Sequence, residues 1–201
     1  MSTLRTATIR LAYENPELRP VLLPLLARTG STGRQAAKFP KDLTPYGVTV
    51  AELAAYKNKM QAMLQEAAQA FPPPSALGTD AVWGFSGKPG EWHVLESMKP
   101  TAAIGVFFYI NLPPQFGPKA RIIFHAMLTA AKPAAPFKKE VKPYWYLSVR
   151  PDWIMEPAAK ASLHSILKEK IFNGAVTDYS VALQRIDAVK PLLFAAAKAI
   201  S

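Results

Sequence analysis

From Thr49 onward the chain repeats apolar residues at intervals of three and four. Leu53, Tyr56, Met60, Met63, Leu64, Ala67 and Phe71 fall on one stripe, and alanines fill much of the remainder. Thr49-Val50-Ala51-Glu52 has the spacing of a capping box, with Val48 and Leu53 placed as a hydrophobic staple. Pro72-Pro73-Pro74 withdraws backbone donors and ends the pattern. The spacing predicts a helix of about 20 residues, roughly 30 Å long.

Beyond the prolines the period shortens. Residues 81–86 and 91–98 flank Gly87-Lys88-Pro89-Gly90, a turn sequence, and predict a β-hairpin with Trp83, Phe85, Trp92 and Val94 as strand-forming bulk. Residues 101–112, 119–131 and 144–150 read as three further strands. The first two of these are joined by a tight return through Pro113-Pro114-Gln115-Phe116-Gly117-Pro118. Helical spacing then resumes over 157–172, closed by Asn173-Gly174, and over 178–200, where Pro191 is expected to kink or split the helix. The order predicts an α+β fold. It consists of an antiparallel sheet of about five strands with a long helix before it, two helices after it, and an N-terminal helical arm. One face of the sheet is expected to pack on the helices.

Residues 1–46 read as an arm and linker, and 47–201 as a single domain. Within the arm, Ser2 or Thr3 can cap a short helix to Tyr13. Asn15-Pro16-Glu17 restarts one, and Pro20 and Pro24 kink it. Thr29-Gly30-Ser31-Thr32-Gly33 then breaks the chain, and 34–46 reads as extended. Ile9, Leu11, Leu18, Leu22, Leu23 and Leu26 are the arm's partner-docking candidates. Each, if fully buried, contributes about 1.5–3 kcal/mol before ordering costs. The same leucines could instead cap the chain's own core.

Hydrophobic residues make up 50% of the 201 positions and charged residues 19%, a globular balance. Cysteine is absent, which excludes disulfides, thiolate metal sites and cysteine nucleophiles. The net charge of +10 is uneven. Seven basic against three acidic groups give +4 in 1–50, and seven against one give +6 in 101–150. Such a surface favours anionic partners. No apolar run is long enough for a membrane span, and no secretion signal is recognisable. The expected location is therefore the cytoplasm or a virion.

Candidate chemistry is sparse. His93, His125 and His164 have no metal-ligand or triad spacing, and no cofactor or metal is implied. Glu140 is the one acid between Lys99 and Asp152, too few for a paired-carboxylate or divalent-metal site there. Asp152 and Glu156 read as a polar turn before a helix. Gly84 to Gly90 and Gly30 to Arg34 lack phosphate-loop spacing. The strongest alternative is a nucleic-acid contact. Lys132, Lys138, Lys139 and Lys142 lead into Tyr144-Trp145-Tyr146, where cations and an exposed Trp145 would bind phosphates and stack bases. In the competing reading these lysines are a solvated loop and the aromatics belong to the core.

The run Ile9-Arg10-Leu11-Ala12, Asn15-Pro16-Glu17-Leu18-Arg19-Pro20 and Leu22-Leu23-Pro24-Leu25-Leu26 resembles the openings of uncharacterised phage-encoded proteins, some of them virion components. The resemblance covers about a tenth of the chain and implies a viral assembly subunit. Together these features predict a non-enzymatic structural or assembly protein that forms a homo-oligomer or joins other subunits. The alternative is a basic nucleic-acid-binding module built on the 132–146 loop.

Overall fold

The computed structural model describes residues 39–73, 75–80, 82, 85, 87–95, 102–132, 136, 139–152, 155–167 and 176–201. The arm helices, Ile9, Leu11, Leu18, Leu22, Leu23, Leu26 and Lys138 lie outside the described residues, as do positions 96–98 and 168–172 of two expected elements. Among the described residues the fold is α+β, an antiparallel sheet of four strands with three helices. One helix precedes the sheet and two follow it.

Helix α1 spans Val50–Ala68, and its start is the capping box read from the sequence. The Thr49 hydroxyl accepts the Glu52 amide at 3.2 Å, while the Glu52 carboxylate accepts the Thr49 amide at 2.7 Å. Every residue of the expected stripe, Leu53 through Phe71, is buried. The preceding linker is not extended throughout. Thr44–Tyr46 forms a 3-10 turn, because Pro45 holds its φ in the helical range and Gly47, at φ +63°, ends the turn in a left-handed conformation.

The sheet is a meander of β1 (His93–Val94), β2 (Ala103–Asn111), β3 (Arg121–Thr129) and β4 (Tyr144–Pro151), in that spatial order. Of the expected first hairpin, only Val82 and Phe85 of its first strand and residues 91–95 of its second are among the described residues. Val82 and Phe85 are not in a strand but pack on Phe107, Tyr109 and Ile123. Leu77 bridges Ile110 and His93–Val94 pairs with Gly105 and Ile104, so two short pieces share one edge of β2, with an excursion between them. Gly78 permits this, because a Cβ there would run into the Tyr109 ring. The Tyr109 hydroxyl fixes the excursion by accepting the Asp80 amide and donating to the Asp80 carbonyl.

Register assigns each face. Ile104, Leu128 and Trp145 align across β2, β3 and β4, as do Val106, Ala126 and Leu147, and Phe108, Phe124 and Val149. All of these belong to the main core, which also holds the apolar stripes of the helices. The opposite face carries Gly105, Phe107, Tyr109, Ile123, His125 and Met127. Strands β2 and β3 are buried along almost their whole length, so this second face is covered as well. Both faces of the sheet are therefore buried at β2 and β3.

Helix α2 (Pro157–Leu167) and helix α3 (Tyr179–Ile200) complete the helical layer. The α3 helix runs through Pro191 without splitting. Pro191 is exposed, so water can take the carbonyl bond that its ring denies. Helices α1 and α3 lie parallel. The Tyr179 hydroxyl donates to the Glu52 carbonyl, Lys59 pairs with Asp187, and Lys190 pairs with Glu66.

Candidate functional site

Parallel packing brings the starts of α1 and α3 to one end of the helical layer. Their first turns expose backbone amides and the positive ends of both helix dipoles. Each start is answered internally. Glu52 closes the Thr49 box, and the Asp178 carboxylate accepts the amides of Ser180 and Val181 at 2.7 and 3.1 Å. Hydrogen bonds from the Thr49 amide and hydroxyl hold the Glu52 carboxyl below its usual range. Those from the Ser180 hydroxyl and the Val181 and Ser180 amides do the same for Asp178.

The loop between β3 and β4 meets this end. Lys132 and Val141 exchange both backbone hydrogen bonds, at 2.8 and 3.0 Å, which ties the base of the loop. Exposed Lys142 and half-buried Pro143 follow. With Tyr46, Val48, Trp145 and Tyr179 they line a cavity of about 310 Å³. The lining mixes aromatic and aliphatic side chains with Lys142, Thr177 and Asp178.

The linker is fixed at the same end. Leu43 and Tyr46 are buried, and the Pro45 carbonyl accepts the Ala131 amide at 2.6 Å. Beside it Val50 is 72% exposed and Val181 41% exposed, both in helix first turns.

The sequence-nominated residues divide. Lys132 is half-buried, and Lys139 and Lys142 are exposed. Trp145 is 3% exposed and stacks on Tyr56 with ring centroids 4.5 Å apart. It also meets Trp92 edge-on and lies beside Tyr179. Strand alternation points it into the helical layer, so no ring face is open for a base. Its nomination as a stacking residue is corrected.

Asp152 is buried and accepts a hydrogen bond from Arg121 Nε at 2.7 Å, with both side chains under 10% exposed. The Arg121 guanidinium also lies over the Tyr109 ring, 5.2 Å from its centroid. The pair locks the end of β3 to the end of β4. Among the described residues no three metal-ligating side chains cluster.

One constellation went unseen in the sequence. His93 and His125 lie 32 positions apart, yet β1 and β3 both flank β2 and bring their rings to 6.4 Å, nearly parallel at 14°. Phe85 meets His125 edge-on and Phe107 meets His93 edge-on. Both Nε2 atoms are buried without a hydrogen-bond partner among the described residues. Burial, reinforced by His93 and Arg150, depresses the His125 pKa from 6.5 to about 4, and burial lowers that of His93 as well. Only the strand register could have revealed this pair.

Among the described residues no helix is long and apolar enough to cross a membrane. No protein-family model, curated protein or solved structure matches the chain.

Proposed function

We propose that the chain is a structural or assembly subunit, of the kind phage particles carry, whose N-terminal arm docks on neighbouring copies or other subunits. The supporting observation is the anchored root. Leu43, Pro45 and Tyr46 fix the point where the linker meets the domain, beside exposed Val50 and Val181 and the aromatic cavity. A terminal segment becomes ordered only when it is tied down, and a neighbouring subunit would supply that tie. The leucines at 18, 22, 23 and 26 supply the buried area that such docking needs.

Deleting residues 1–28 tests this. The expected result is a lower assembly mass by light scattering, with the thermal unfolding of the remaining domain little changed. An unchanged mass, or a full-length chain that is monomeric at every concentration, rejects the proposal. A large fall in unfolding temperature at unchanged mass would instead place the arm on its own core. The second reading, a nucleic-acid module, keeps exposed Lys139 and Lys142 but loses the stacking ring of Trp145.

A further inference from the structure

His93 and His125 stand at the seam between the edge strand and the centre of the sheet. Residues 87–95 run along β2, held by the Gly90 amide on the Phe107 carbonyl at 2.8 Å, the Leu95 amide on the Ala103 carbonyl at 2.9 Å, and the two β1 pairs. The His93 ring belongs to this edge, while the ring it stacks on belongs to β3. Two glycines make the room. A Cβ on Gly87 would come within 2.6 Å of the His93 ring, and one on Gly105 within 2.8 Å of His125 Nε2. The His93 Nδ1 lies 3.3 Å from the Glu91 carbonyl, which selects the Nδ1–H tautomer and leaves Nε2 a bare, buried lone pair.

This arrangement accommodates two neutral rings and no cation. In the cation of either ring Nε2 carries an N–H with no acceptor among the described residues, beside the apolar rings of Phe85 and Phe107. The charges facing the pair are adverse. Arg150 on β4 repels a charged His125, and each imidazole opposes charge on the other. Asp80, Lys88 and Glu91 on the covering segment are exposed to solvent, so among the described residues no carboxylate compensates from within.

We propose that the His93–His125 stack is an acid-sensitive latch, which when protonated releases residues 87–95 from β2 and bares that strand's edge. Release frees the Ala103 and Phe107 carbonyls and leaves an unpaired strand able to accept another. Above pH 6.5 both rings are neutral whether the edge is docked or free, so the latch is closed. Below 6.5 the freed rings take up protons that the docked His125 refuses until about pH 4. Each pH unit in that window favours release by about tenfold through His125, and the lowered pKa of His93 acts in the same direction.

Amide hydrogen exchange on the full chain tests the latch. Protection factors are compared between pH 7.5 and 4.5 and corrected for intrinsic exchange. Gly90 and Leu95 are expected to lose protection by at least about tenfold relative to the β2–β3 ladder. His125→Met, neutral at every pH, is expected to flatten that loss. If Gly90 and Leu95 track the ladder amides in the unmodified protein, the latch is wrong, and that measurement decides alone should the variant not fold. A His125→Met protein that folds and keeps the full pH response also overturns it.

Discussion

At the scale of single residues, the least forgiving polar group is Asp152. It lies buried at the foot of β4, where its carboxylate accepts a hydrogen bond from Arg121, whose guanidinium rests over Tyr109. Removing one member strands the other charge away from water, which typically costs about 3–5 kcal/mol, whereas replacing both with apolar residues is close to neutral. Asp152→Asn is therefore expected to destabilise far more than the paired change Arg121→Met with Asp152→Leu. Urea unfolding of the three proteins measures this. Equal losses in the single and double variants would show that the pair adds nothing beyond packing. Trp145 illustrates the opposite dependence. A tryptophan beside a lysine-rich loop is chemically fit for stacking on a base, but its neighbour Tyr56 across the layer occupies the ring face.

At the scale of elements, local chemistry and tertiary packing pull in the same direction in α1 and in opposite directions in α3. Helix α1 has its cap and its stripe written in consecutive residues, and both appear, although the helix ends at Ala68, ahead of Pro72. Helix α3 contains Pro191, which by local preference should break it. The buried stripe of Ala182, Ile186, Val189, Leu193, Ala196 and Ala197 holds the two halves on one core instead. A proline in a helix interior costs about 3 kcal/mol relative to alanine. Because Pro191 is exposed, Pro191→Ala is expected to raise stability by about 1–3 kcal/mol, read as a higher denaturation midpoint. A drop in the midpoint would mean that the proline sets a bend which the packing needs. The edge strand β1 shows the same dependence on context. Its sequence favours a hairpin with the preceding residues, but Val82 and Phe85, the two of them that are described, pack with Phe107 and Tyr109 on the sheet's second face.

At the scale of the molecule, the sheet divides two tasks. One face and the helical layer form the main core, and the other face carries a smaller apolar cluster and the histidine stack. The basic excess in 101–150 gathers partly on the loop leading into β4, where Lys139 and Lys142 are exposed. If these lysines bind nucleic acid, they act as phosphate contacts alone, without base stacking. The expected signature is then weak binding that is indifferent to sequence, falls steeply with salt, and weakens further in the Lys132, Lys139 and Lys142 triple alanine variant. Binding that survives high salt, or that prefers one sequence, would contradict that picture. Electrophoretic mobility at several salt concentrations is sufficient to measure it.

The sequence by itself determined the α+β order, the long capped helix and its buried stripe, and the three long strands, because caps, turns and periodicity are properties of neighbouring residues. It also made the arm the leading candidate for docking, on composition and position. Tertiary structure alone decided that the sheet is buried on both faces at its centre, that Trp145 serves the core, that Asp152 answers Arg121, and that His93 meets His125. Each of these depends on strand register, which places residues some 30 positions apart side by side and has no signature in local spacing.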